Sequence, residues 1–88
     1  MIHETTTSLA PAHVLERAKD FFAGRVPATA AYLEKEGPGF LALRGQGGEE
    51  LVFAARQAEG GTMVRGSTLL FDQQIKRFFR TLPPMVAA

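Results

Sequence analysis

The sequence predicts an α+β fold, a two-layer sandwich in which a curved antiparallel sheet of about five strands carries two helices on one face, in the order β-α-β-β-β-β-α. Three observations predict it. Two stretches, one near each end, space their apolar residues at i, i+3, i+4 and i+7. Between them run short segments separated by the glycine-rich clusters "GPG", "GQGG" and "EGG". One amphipathic helix is too narrow to cover such a sheet, whereas two cover one face of it.

The elements follow in order. Ile2 to Ser8 is β-prone through its threonines, although its alternation is weak. Leu9-Ala10-Pro11 marks a helix entry, with Ala10 as N-cap and Pro11 at the first helical position, where a missing N–H costs nothing. Leu9 and Val14 would staple that entry. Val14, Leu15, Ala18, Phe21 and Phe22 form the apolar stripe, Gly24 is the expected C-cap, and Pro27 prevents continuation. From Ala28 to Phe71, "ATAAYLEKE", "FLALR", "EELVFAARQ" and "TMVRGSTLLF" read as four strands of a meander. In the third, Leu51, Phe53 and Ala55 share one face and Val52, Ala54 and Arg56 the other. Both faces hold apolar residues, so alternation alone does not say which is inward. Gly66 predicts a bulge or bend in the last strand. Asp72 is the expected cap of a final helix whose stripe is Ile75, Phe78, Phe79 and Leu82, with Lys76, Arg77 and Arg80 behind it. Pro83 and Pro84 end this helix, and residues 85–88 read as a frayed tail.

The opening "ETTTSLAPAHVLERAKDFF", the later "EGGTMVRGSTLLF" and the terminal amphipathic helix together resemble the START-like superfamily, the polyketide-cyclase and helix-grip group. The resemblance implies one shortened START-like domain over residues 1–84, with the sheet gripping the last helix; independently of it, the first strand can pair beside the last in such a sheet and tie the amino terminus to the meander. The resemblance further implies an apolar groove between sheet and helix. Leu15, Phe22, Tyr32, Phe53, Met63, Phe78 and Phe79 are the residues proposed to line it. Typical members are longer, with further strands and a second short helix, so any cavity here is expected to be small or filled. No catalytic residue carries over.

With 88 residues, 45% hydrophobic and 22% charged, the chain has the balance of a folded globule, and its small size leaves a thin stability margin. A net charge of +1 excludes a general basic field for wrapping nucleic acid. Cysteine is absent, which excludes disulfides and thiolate chemistry and favours a cytoplasmic setting. The first residues show no signal-peptide pattern, and no apolar run approaches the roughly 20 residues of a membrane span.

His3 and His13 are the only histidines and lie at no recognised ligand spacing, so they read as surface side chains; no metal or cofactor is expected. Glu34, Glu36, Glu49 and Glu50 flank turns, where carboxylates commonly solubilise loops. The glycine clusters are turn chemistry rather than phosphate loops, and Ser67 has no neighbouring base. The phenylalanines of the last helix are expected in the core, where each ring is worth about 1.5–3 kcal/mol.

The leading expectation is a non-enzymatic binding or interaction module. It would act on a protein partner, another copy of itself in a homo-oligomer or, in a groove, a small hydrophobic ligand. One alternative is a small cyclase- or hydrolase-like enzyme with Tyr32, Glu34 and Arg44 or Arg65 around a cleft, which would need a strongly shifted carboxylate. Another is an accessory subunit docked on a larger or membrane-associated assembly through Lys76, Arg77 and Arg80.

Overall fold

The computed structural model describes residues 1–25, 31–45 and 47–84. Its elements are β1 (Ile2–Thr7), α1 (Pro11–Asp20) with a following π turn (Phe21–Arg25), β2 (Tyr32–Gly37), β3 (Phe40–Arg44), β4 (Glu50–Ala58), β5 (Gly61–Thr68) and α2 (Asp72–Arg80). The five strands form one antiparallel sheet in the order β1-β5-β4-β3-β2, the α+β arrangement that the sequence predicts. Consecutive hairpins build β2 to β5, and each turn contains a glycine at positive φ, Gly39, Gly48 and Gly60. β1 closes onto β5 from the far end of the chain.

The structure decides which face is inward. Leu41 and Leu43 of β3, Leu51, Phe53 and Ala55 of β4 and Val64 of β5 lie under the helices with Val14, Leu15, Ala18, Phe22, Ile75, Phe78 and Leu82. Phe22, Phe53 and Phe78 have no exposed surface and meet with ring centroids 5.4–5.9 Å apart, in tilted and edge-on geometries that favour aromatic pairs. Three threonines are also buried on this side. Each donates its hydroxyl to a carbonyl, Thr7 to Pro83, Thr62 to Leu9 and Thr68 to Glu50, so none is left unsatisfied.

Four local expectations are corrected. Gly24 does not cap α1: the helix widens into the π turn, which drops Phe22 into the core and leans Phe21 on Phe78 at 5.5 Å. Pro27, like the Ala28 start of the next segment and the tail at 85–88, lies outside the described residues. Gly66 makes no bulge, because the ladders to β1 and β4 run through it unbroken. A Cβ there would come within 3.0 Å of Phe53 and 3.2 Å of Ile75, so glycine lets both side chains sit down on the strand. The bulge is in β2 instead, between Leu33 and Lys35. Finally, Phe71 rather than Asp72 is the N-cap of α2, while Leu69 and Leu70 leave the strand and stand 89% and 67% exposed.

Candidate interaction surface

The expected groove does not form from the residues proposed for it. Leu15, Phe22, Phe53 and Phe78 are buried against one another, and Phe79 is half-buried beside Phe78. Met63 alternates with the buried Thr62 and Val64, so it stands on the opposite, helix-free face of the sheet. Tyr32, opposite Arg44 on the edge of the sheet, is 55% exposed. Filling the space between sheet and helix with four interlocked side chains removes the room that a ligand would need.

The helix-free face is therefore the uncovered one. Its register follows from the strand pairing. One cross-strand row is Ala42, Val52, Ser67 and Ile2; the next is Phe40, Ala54, Arg65 and Glu4; a third is Arg56, Met63 and Thr6. A depression of about 420 Å³ opens here, lined by Glu4, Ala54, Arg56, Met63 and Arg65 and bounded by the β2–β3 turn at Pro38-Gly39. The turn is tied to β4 by the Ala55 N–H, which donates to the Gly39 carbonyl at 2.9 Å and so continues the β3–β4 ladder. Arg56 and Arg65 lie diagonally across neighbouring strands, within reach of one incoming group. Among the described residues neither has a carboxylate within 4 Å.

Among the other described Lys and Arg side chains, Arg44 and Lys19 are paired with carboxylates. Arg44 grips Glu34 with two nitrogens, at 2.5 and 3.0 Å, and reaches Glu50 at 3.6 Å. The Arg44 hydrogen bonds hold the Glu34 carboxyl below its usual range, the opposite of what a proton donor near neutral pH requires. Of the two arginines proposed for a cleft, Arg44 does meet Glu34 and lies opposite Tyr32 on the sheet edge, whereas Arg65 is on β5, beyond β4, and does not join them. Lys19 bridges Glu16 and Glu36, tying α1 to β2, and those hydrogen bonds raise its pKa.

His3 is not a free surface side chain. Its Nε2 lies 2.6 Å from Asp72 Oδ1, which joins β1 to the start of α2. That bond is the main cause holding the Asp72 carboxyl below its usual range; with the carboxylate ionised, the imidazole N–H is the donor. His13 lines a shallow cleft of about 360 Å³ with Arg17, Asp20, Phe21 and Thr81. Among the described residues no three histidine, aspartate or glutamate side chains gather as a metal site. Lys76, Arg77 and Arg80 are exposed along the back of α2, also without a carboxylate within 4 Å among those residues. A fourth feature, an apolar cleft of about 600 Å³, is formed by Met1, Ile2, Leu69 and Leu70 beside Glu49 and Glu50.

The Arg56–Arg65 pair was within reach of the sequence. A two-residue turn at Glu59-Gly60 sets Ala58 opposite Gly61, and counting back places Arg56 opposite Met63 and Ala54 opposite Arg65. The His3–Asp72 clip was not, because its partners are 69 positions apart in the sequence. No helix among the described residues is long and apolar enough to cross a membrane. No protein-family model and no curated protein matches the sequence.

Proposed function

We propose that this chain is a non-catalytic interaction module that uses the helix-free face of its sheet to hold an acidic, partly apolar protein surface. The observation that carries this reading is the unpaired Arg56–Arg65 couple beside Met63 and Ala54, on a sheet whose helices all lie on the other side. Apolar strand surface supplies contact area, and two arginines supply forked donors for carboxylates. Glu4 is the one carboxylate at the rim of the depression, so the patch selects for negative charge. A shortened START-like kinship belongs to the same proposal. It is supported by the first strand lying beside the last and by α2 resting on the sheet. The filled core argues for a surface contact in place of a buried hydrophobic ligand.

The test uses a fluorescent peptide of alternating glutamate and leucine, titrated with the protein at low salt. Double substitution Arg56→Glu with Arg65→Glu is expected to weaken binding at least tenfold, while Lys76→Glu with Arg80→Glu leaves it within about twofold. Absence of binding to the unsubstituted protein overturns the proposal. Equal loss in both variants points to charge without a site, and loss in the α2 variant alone moves the contact to the basic back of that helix; either result also overturns it.

A further inference from the structure

The two edges of the sheet are built differently. β2 is broken by a bulge and carries Glu34, Lys35 and Glu36, the usual devices that discourage a second strand from adding on. β1 is six residues of unbroken register containing three threonines, a strongly β-prone type, and no lysine, proline or bulge.

The hydrogen-bond phase of β1 shows what its open side offers. The amino group of Met1 donates to the Thr68 carbonyl, and the Thr68 N–H donates back to the Met1 carbonyl at 3.0 Å, so this is a doubly bonded pair. Antiparallel alternation then turns the backbone groups of His3, Thr5 and Thr7 toward β5 and those of Ile2, Glu4 and Thr6 away from it. Ser8 continues the phase: its N–H also points outward and meets the Pro83 carbonyl at 3.4 Å. Among the described residues, nothing bonds the outward N–H and C=O groups of Ile2, Glu4 and Thr6.

We propose that β1 pairs antiparallel with β1 of a second copy, across a two-fold axis passing between the two Thr5 residues, to make a continuous ten-stranded sheet. Self-complementarity selects this occupant and this register. Directly opposed residues must share a face and have outward groups in phase, so each even residue opposes an even residue. Centring on Glu4 would set two carboxylates directly opposite each other. Centring on Thr6 would leave only the Thr6–Thr6 pair, because both of its Glu4–Ser8 pairs need the Ser8 N–H, which Pro83 already holds. Centring on His3 shortens the overlap. The Thr5 register opposes Glu4 to Thr6 of the second copy, twice, with two backbone hydrogen bonds at each, and the pairing ends there, because the next outward pair, Ile2 with Ser8, would need the Ser8 N–H that Pro83 holds. The contact runs along the edge that borders the arginine face at Glu4 and Thr6, and it leaves Arg56 and Arg65 facing solvent on both copies.

The experiment is light-scattering mass over a concentration series of about 1–500 μM. The protein is expected to move from monomer to dimer across it. Glu4→Pro removes an outward donor and none of the β1–β5 bonds, so it is expected to remain folded by circular dichroism and to stay monomeric. Thr6→Lys, which faces Glu4 of the second copy, is expected to tighten the dimer by about three- to tenfold, and Thr6→Glu to weaken it by a similar factor. Arg56→Glu, two strands away from β1, leaves the dimer intact, which separates this result from the fate of the peptide-binding face. A protein that is monomeric throughout overturns the proposal, as does a dimer that survives Glu4→Pro or is indifferent to charge at Thr6. Dimerisation that appears only after removal of residues 85–88 assigns the edge to the chain's own tail and overturns it too.

Discussion

At the scale of single residues, His3 and Asp72 show how much one contact can change a residue's meaning. In the sequence Asp72 is a good helix cap and His3 a stray polar group in a strand. In the fold the carboxylate turns away from the helix end to accept from His3, 2.6 Å away, and lies 3.6 Å from the amino group of Met1. His3 of β1 and the amino group of Met1 just before it draw the carboxylate away from the backbone N–H groups of α2. Because the pairing lowers the Asp72 pKa in the folded state, its stabilising contribution is present above the pKa of the unfolded carboxyl, about 3.9, and disappears as pH falls through the lower folded value. Asp72→Asn is therefore expected to melt below the unsubstituted protein at neutral pH. The difference in Tm should narrow as pH is lowered below about 4, as measured by thermal denaturation across a pH series.

At the scale of elements, α2 does most to shut the core. Its stripe places Ile75 against Gly66 and Phe78 against Phe21, Phe22 and Phe53, and its end is fastened by the Pro83 carbonyl, which accepts from Thr7. The helical period of this stripe is legible from residues 75–82 alone, and so is the positive flank. Neighbouring Leu69 and Leu70 read as equally apolar in the sequence but stay in solvent, because the chain must leave the sheet there to climb onto its face. These two environments predict opposite costs. Phe78→Ala is expected to lose about 3–5 kcal/mol, a large part of the total stability of a domain this small, whereas Leu70→Ser should change it by less than about 0.5 kcal/mol. Chemical denaturation of the two variants side by side checks both.

For the whole molecule, the unequal cover over the sheet predicts an order of local opening. β4 and β5 are bonded on both sides and lie beneath the helices, while β2 has one neighbour, a bulge and almost entirely exposed side chains. Backbone amides of Phe53, Ala55 and Val64 are expected to exchange hydrogen most slowly, at rates approaching global unfolding, and those of β2 fastest among the strands. Amide exchange followed by mass spectrometry or magnetic resonance reads this directly; a β2 as protected as β4 would contradict it. The same asymmetry leaves one broad face and one edge of the molecule available, and both proposed contacts lie there.

The sequence by itself determined the order of elements, both helical stripes and the positions of the three turns, because these depend on interactions between residues near one another along the chain. It also indicated that β4 has apolar residues on both faces. What it left open was which of those faces the helices would cover. By local pattern Tyr32 and Met63 are fit to join Phe22 and Phe78 in a groove, but the pleat sends Met63 to the far side of the sheet, and Tyr32 lies on its exposed edge. Only the tertiary structure decided that, since alternation is symmetrical about the sheet and the choice is made by helices packing from elsewhere in the chain. Gly66 marks a close approach in place of the expected bulge for a related reason: the glycine answers to the bulk of Phe53 and Ile75 above it, which no local pattern reports.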